Sequence, residues 1–312
     1  DKMNNNENIY DVVIIGSGPS GLAAAIYAER AKLKTITIEK QYMSGGQVLN
    51  TYEVDNYPGL PEINGFDMGQ KFRQHAEKLG SQFIKDEVLE LEIMDDIKKV
   101  HCKKNEFLTK TVIIATGAQH RLLEVKGEKE FYGKGVSYCA TCDGAFYKER
   151  TVAVIGGGDV ALEDAIFLSR ICKKVYLIHR RDEFRGVKIL QEKVFSISNI
   201  EVIWDTVVDE IYGENEVQGI NVSNVKNNEK KEIEVDGIFV AIGIVPNSHI
   251  FEKHLQLDDG NYIVATEDCK TSVEGVFVAG DVRTKALRQI VTAVSDGANA
   301  ITSIEKYLFK NY

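Results

Sequence analysis

The sequence predicts an α/β fold in which one unit of strand, glycine turn and helix is inserted into another of the same kind. Three observations predict it. A β-branched strand at residues 12–15 runs into Gly16-Ser17-Gly18-Pro19-Ser20-Gly21 and an alanine-rich helix, and the arrangement recurs 140 residues later around Gly156-Gly157-Gly158-Asp159-Val160-Ala161. Residues 111–117 and 237–243 are similar apolar strands, each ending in glycine, and mark natural crossover points. The 312 residues, 44% hydrophobic and 27% charged, have the composition of an ordinary soluble protein and the length for about two domains. Residues 1–8, polar and asparagine-rich, read as a frayed terminus.

In the first unit Gly16 allows the tight turn and Gly18 lets the backbone approach a pyrophosphate. Gly21 lets helix and strand pack closely, so the phosphates would lie at the helix N-terminus. Three glycines alone are a weak signal. The next strand, residues 35–38, ends in Glu39, a carboxylate at the distance where one accepts hydrogen bonds from an adenosine ribose. Gly45-Gly46-Gln47 then forms a glycine loop able to approach a flat cofactor, although turn chemistry alone also explains it, and residues 56–59 read as a turn.

Next comes Cys139-Ala140-Thr141-Cys142-Asp143. Two thiols at this spacing can close into a small disulfide ring, and one can stabilise the other as a thiolate, a reversible two-electron store; Asp143 could pass protons as the ring opens and closes. The competing reading is half of a zinc site, which wants a second Cys or His pair; Cys102, Cys172 and Cys269 stand singly. A lone CxxC among single thiols fits a reducing cytosol, so a cytoplasmic protein is expected. The net charge of −9 argues against nucleic acid or anionic membrane as the main partner, and neither a signal peptide nor an apolar run of spanning length is found.

The second unit places strand 151–155, a GxGxxA turn, helix 162–170 and strand 175–178 in series, ending on His179. His179 stands 23 residues after the first glycine of its turn, the offset of Glu39 from Gly16, and is followed by Arg180, Arg181 and Arg185. A carboxylate repels a 2′-phosphate, whereas arginines bind it with charge-assisted bonds. The first turn should therefore take a dinucleotide with a free ribose and the second NADPH; a solvated arginine cluster is the plain alternative. Residues 225–231 read as a surface hairpin turn. His249 and His254 read as surface or packing residues, Trp204 as packing in the second domain and Cys172 as a buried small hydrophobe. Strand 275–281 ends in Asp281, followed by Arg288-Gln289-Ile290 and a helix over 291–307. Asp281 suits a bond to a polyol such as the ribityl chain of FAD, or equally a turn or N-cap role.

GSGPSG, GGQ, TVIIATG, CATCDG, GGGDVALEDA, HRRDEFR and GVFVAGDV, in this order over residues 10–308, closely resemble low-molecular-weight thioredoxin reductase. The resemblance implies a homodimeric flavoenzyme that uses NADPH to reduce thioredoxin through bound FAD. It implies that Cys139 attacks the thioredoxin disulfide, that Cys142 lies nearer the flavin, and that Asp143 donates the proton. FAD is expected at Gly16, Ser17, Gly18, Pro19, Gly21, Glu39, Lys40, Gly46, Gln47, Asn56, Ala115, Thr116, Gly117, Gly280, Asp281, Arg288, Gln289 and Ile290. NADPH is expected at Gly156, Gly158, Asp159, Val160, Ala161, His179, Arg180, Arg181, Arg185, Ile242 and Gly243; no metal is expected. Val160 replaces the family's frequent Ser or Thr, and Ala286-Leu287 replace a more usual aromatic at the flavin edge.

The implied architecture is two Rossmann-like dinucleotide-binding domains. An FAD domain of residues 1–117 and 245–312 is interrupted by an NADPH domain of residues 118–244 that carries the CxxC pair. Because that pair and the NADPH turn share one domain, disulfide and nicotinamide would take turns at the flavin, with rotation about Gly117 and Gly243. A related flavin reductase fed by ferredoxin or serving another thioredoxin-like carrier, and a non-catalytic flavoprotein sensor, are the alternatives. The intact arginine motif disfavours the ferredoxin version, and the CxxC pair disfavours the sensor.

Overall fold

The computed structural model describes residues 8–51, 53–54 and 56–312; most of the asparagine-rich start lies outside them. The chain divides into two compact units, residues 1–119 with 245–312, and residues 120–244. The first begins with β1 (Ile9–Ile15), α1 (Pro19–Arg30), β2 (Thr35–Glu39), α2 (Gly65–Lys78), β3 (Gln82–Lys85), β4 (Val88–Met94), β5 (Ile97–Cys102) and β6 (Glu106–Ile114). The chain leaves along β7 (Ala118–His120). The second unit holds β8 (Val136–Ser137), α3 (Ala140–Asp143), β9 (Thr151–Ile155), α4 (Asp159–Ser169), β10 (Lys174–Ile178), α5 (Lys188–Ser196), β11 (Ile200–Ile203), β12 (Thr206–Gly213), β13 (Val217–Asn224), β14 (Lys230–Glu234) and β15 (Gly237–Val240). It returns along β16 (Ile244–Pro246), which pairs with β7, and ends with β17 (Val276–Val278) and α6 (Ile290–Asn311).

The first sheet runs β3-β2-β1-β6-β5-β4, with β17 also on β6. β1 is parallel to both neighbours and is buried on two faces, which is why it reads as an unbroken apolar run. Val12 and Ile14 pack with Ala24, Ala25 and Ala28 of α1 and with Ala300, Ile301 and Ile304 of α6. Val13 and Ile15 face Leu91, Val100, Phe251 and Leu255 on the other side. The small residues of α1 matter here: a Cβ on Gly297 of α6 would lie 2.4 Å from the Ser20 carbonyl, so the two helices touch backbone to backbone.

In the second unit a parallel sheet, β11-β10-β9-β15-β8, lies between two layers. Val152 and Val154 of β9 pack on Ala161, Leu162, Ala165 and Leu168 of α4. The alternate residues Ala153 and Ile155 pack on Val208, Ile211, Ile220, Val222 and Ile233 of the antiparallel sheet β12-β13-β14. The period-two alternation of β9 thus feeds two cores.

Several boundaries differ from the sequence reading. α4 starts at Asp159, inside the glycine turn, because Gly158 is its N-cap; α6 runs on to Asn311. The antiparallel strands β4 and β5, and the sheet β12-β13-β14, follow no motif in the sequence reading. The run at 225–231 does join β13 to β14, with the Asn224 side chain accepting from the amides of Lys226 and Asn227.

Candidate active site

The first glycine turn is shaped by contacts that exclude side chains. Gly16 has φ +106, and a Cβ there would lie 2.2 Å from the Ala115 carbonyl oxygen; one on Gly21 would lie 2.0 Å from that of Gly16. Gly18 differs: a Cβ there would make only an ordinary contact, with Gly46 Cα at 3.8 Å, while one on Gly46 would lie 3.3 Å from Gly18 Cα, so two bare glycine backbones meet beside the N-terminus of α1. Gly18 is the N-cap, makes no side-chain cap bond, and is followed by Pro19 at the first helical position. The helix amides and dipole there suit an anion. Glu39 Oε2 accepts from the Ser17 amide at 3.0 Å and hydroxyl at 2.6 Å, while Oε1 accepts from Gln41. Lys40, Gly46 and Gln47 are exposed, and Gly46 and Gln47 belong to a 3₁₀ turn, Gly46–Asn50. Ala115 is buried, and Thr116 and Gly117 are tied to Asn247 by three hydrogen bonds of 2.6, 2.8 and 2.9 Å.

The 280s loop belongs to the same unit. Asp281 Oδ1 is buried with no hydrogen-bond partner among the described residues. Burial pushes this carboxyl above its ordinary range despite Lys285 and Arg288. Arg288 donates to the carbonyls of Asp281 and Arg283 at 3.0 Å each and lies over Tyr262. Gln289 caps α6 through a reciprocal pair with Thr292 and accepts from Asn56 at 3.0 Å; Ile290 opens the helix. Sequence reasoning missed what holds this loop. Asp296, 3% exposed, takes the Gly280 amide at 2.9 Å, Arg283 through two nitrogens at 2.8 and 2.9 Å, and Lys285 at 2.8 Å. Burial opposes its charge, but Arg283 and Lys285 hold the carboxyl below its usual range. Nothing local in the sequence singles out one aspartate of a long helix.

The second turn repeats the plan. Gly156 has φ +147, and a Cβ would lie 2.2 Å from the Ala241 carbonyl, whereas nothing lies within 4 Å of one on Gly158. Asp159 Oδ1 accepts the Val187 amide, and the amides of Arg185 and Gly186 donate to Gly157, so the turn also fixes the arginine loop. Arg180, Arg181 and Arg185 are exposed, as is Val160 at 53%; Ala161 is buried. His179 differs from those arginines. It is 3% exposed, its ring fills the place of a Gly157 side chain and packs on Phe184 and Trp204, and Nε2 is buried without a partner among the described residues. Burial, then Arg185, lowers its pKa. Ile242 is half-buried and Gly243, at φ +132, rests against the Arg121 side chain.

Cys139 and Cys142 are joined as a disulfide at the start of α3, with Cα atoms 5.2 Å apart. Cys139 is the N-cap: its Sγ accepts from the Cys142 amide at 3.2 Å and lies 3.5 Å from Thr141 Oγ1. Asp143 Oδ2 takes a 2.5 Å hydrogen bond from Ser137, a residue the motif reading passed over. The other cysteines are free; burial pushes the thiols of Cys102 and Cys269 up to about 12 and that of Cys172 up to about 11. They are thus poor thiolates. Among the described residues no cluster of three or more His, Cys, Asp or Glu could hold a metal, and no helix is long and apolar enough to cross a membrane. The disulfide and the second turn lie in one unit; the first turn and the 280s loop lie in the other.

The family model of the pyridine nucleotide-disulphide oxidoreductases matches residues 10–297. A thioredoxin reductase of Peptoclostridium acidaminophilum is 45% identical over 98% of this chain and 99% of its own, and one of Bacillus subtilis is 42% identical over 97% and 96%. The crystal structure of thioredoxin reductase from Streptococcus pyogenes superposes with a TM-score of 0.93 at 42% identity, covering 97% of this chain and 99% of that one. With nearly the whole of each chain matched, this protein belongs to the pyridine nucleotide-disulphide oxidoreductases and, within them, to the thioredoxin reductase family.

Proposed function

We propose that the chain is an FAD-dependent reductase that draws electrons from NADPH and passes them through the Cys139–Cys142 disulfide to thioredoxin. The observation that carries this reading is the Cys139–Cys142 disulfide in the same compact unit as a second glycine turn bordered by three exposed arginines. The first unit fits FAD. Its turn sets the bare backbones of Gly18 and Gly46 side by side at a helix N-terminus, and its 280s loop presents a buried Asp281 oxygen, without a partner among the described residues, able to accept from a polyol hydroxyl. Glu39, Lys40, Gln47, Asn56, Thr116, Arg288, Gln289 and Ile290 would line the rest. Bound there, FAD would supply a two-electron relay between a hydride donor and a disulfide.

The chain's own groups do the remainder. The second turn would receive the NADPH pyrophosphate at Gly158 and the start of α4, and Arg180, Arg181 and Arg185 the 2′-phosphate. His179 would support the turn from beneath. Two electrons open the Cys139–Cys142 bond, giving one thiolate and, with one proton, one thiol. The Cys139 thiolate attacks the thioredoxin disulfide, and Cys142 then displaces it from the mixed disulfide, releasing dithiol thioredoxin and restoring the S–S bond. Asp143 handles the protons. The units would alternate by rotation about Gly117 and Gly243, whose φ of +70 and +132 suit positions where the backbone turns freely. We further assign a homodimer in the cytoplasm, without nucleic-acid or membrane partners, in keeping with the −9 charge. The test is titration of the purified protein with NADPH and then thioredoxin. Flavin should bleach, thioredoxin should be reduced, and Cys142→Ser should abolish only the second; a colourless protein or an unreduced thioredoxin would refute the reading.

A further inference from the structure

We propose that Ser137 is a positioning residue whose hydroxyl couples the protonation of Asp143 to the backbone of Cys139, an inference that rests on the function just proposed. Ser137 ends β8 and is 3% exposed, held in place by the parallel pairing of β8 with β15. Its Oγ lies 2.5 Å from Asp143 Oδ2, accepts the Cys139 amide at 3.1 Å, and lies 3.3 Å from the Cys139 carbonyl oxygen. One hydroxyl thus touches the acid and both polar groups of the attacking residue.

The hydroxyl has one hydrogen to give. An ionised carboxylate can only accept, so that hydrogen is committed to Asp143 while the acid is charged. When a proton arrives, Asp143 can donate to Ser137 Oγ, and the serine hydrogen is released to the Cys139 carbonyl, with the Cys139 amide still bound. The exchange step uses that proton. As Cys139 Sγ bonds to one sulfur of the substrate disulfide, the substrate S–S bond breaks and its leaving sulfur takes the proton from Asp143. Ionised once more, the carboxylate draws the serine hydrogen back.

Other titratable groups surround the pair. The Tyr132 and Tyr147 hydroxyls feel the Asp143 charge. Arg150, Glu216 and Asp236 act on Tyr147, and α4, packed on the redox turn, carries Asp159, Glu163 and Asp164. Ser137 is neutral, so removing it leaves every one of these charges in place and takes away its bond to the acid together with its contacts to the Cys139 amide and carbonyl.

A hydrogen bond to a charged carboxylate favours the charged form, and its loss keeps the acid protonated to higher pH, by about one unit. In rapid mixing of the NADPH-reduced holoenzyme with oxidised thioredoxin, the alkaline limb of the rate should move up by about that much in Ser137→Ala. Bleaching of the flavin by NADPH should be unchanged. Ser137→Thr, which keeps the hydroxyl, should hold the wild-type limb, and Ser137→Gly reads the same shift should the alanine variant fail to fold. Limbs that coincide with wild type, or that move equally in Ser137→Thr, would overturn the inference. A wild-type enzyme that fails to reduce thioredoxin is a distinguishable result, which sinks the functional reading and this coupling with it.

Discussion

At the level of single residues the two glycine turns differ in what stands 23 residues after the first glycine: Glu39 in one, and in the other His179 followed by Arg180 and Arg181. Glu39 is engaged with Ser17, whereas Arg180 and Arg181 are exposed. Each charge-assisted bond to a phosphate contributes roughly 1.5–3 kcal/mol, so losing two in Arg180→Ala with Arg181→Ala should raise KM for NADPH about 150-fold or more and leave that for NADH nearly unchanged. Equal losses would show that these arginines do not read the 2′-phosphate. A second residue matters for stability. Burial, with the Glu163 charge adding to it, pushes the Asp164 carboxyl up to about 7 from 3.8. The native protein therefore binds a proton the unfolded chain has released, and the stability this contributes is full below about pH 4 and lost as pH rises through 7. Asp164→Asn should match wild type at pH 4 and exceed it at pH 8 by about 2 kcal/mol after discounting for partial exposure, or about 5 °C in Tm. A gain of the same size at both pH values would place its cause elsewhere.

At the scale of the element, the two glycine turns hold glycines that packing requires and glycines that it does not. Gly16, Gly21 and Gly156 lie where a Cβ would penetrate a carbonyl oxygen, so they are required for the strand and helix to meet. A Cβ would meet Gly46 Cα at 3.8 Å on Gly18 and nothing within 4 Å on Gly158, so packing does not require glycine at either; on the proposed function they lie along the phosphates. Gly156→Ala, at φ +147, should destabilise the second unit by about 3 kcal/mol or more, seen as a lost or lowered unfolding transition. Gly158→Ala, at φ −91, should leave Tm within about 1 °C but weaken NADPH about tenfold, because the methyl enters the phosphate path. If Gly158→Ala instead unfolds the unit and spares binding, this division is wrong. Ser137 extends the same logic to the redox turn, since β8 fixes a hydroxyl that α3 then uses.

Over the whole molecule, the consequence is one of traffic. The disulfide and the second turn lie in one unit, and the first turn and Asp281 in the other. On the function proposed above, with FAD in the first unit, nicotinamide and disulfide would reach it in alternation. Chemically crosslinking one unit to the other should then stop steady-state reduction of thioredoxin while leaving a single half-reaction, either flavin bleaching by NADPH or flavin reoxidation by the disulfide. Full turnover in the crosslinked enzyme would exclude the rotation.

Much of this was legible in the sequence, because turns that approach a backbone need glycine at fixed spacing, strands buried on both faces need unbroken apolar runs, and a two-electron dithiol store needs two cysteines close in the chain. The charges proposed to tell one dinucleotide from another are local as well, Glu39 at the end of β2 and Arg180 and Arg181 just after β10. What the chain order did not reveal depends on side-chain atoms from different elements meeting in the folded structure. Asp296 gathers Gly280, Arg283 and Lys285 from a different element, His179 fills the space a glycine side chain would need, and Ser137 reaches Asp143 only because α3 turns back onto β8. Local steric and charge requirements leave a record in spacing and composition. A hydrogen bond between residues brought together by packing leaves none, and the tertiary structure alone decided those.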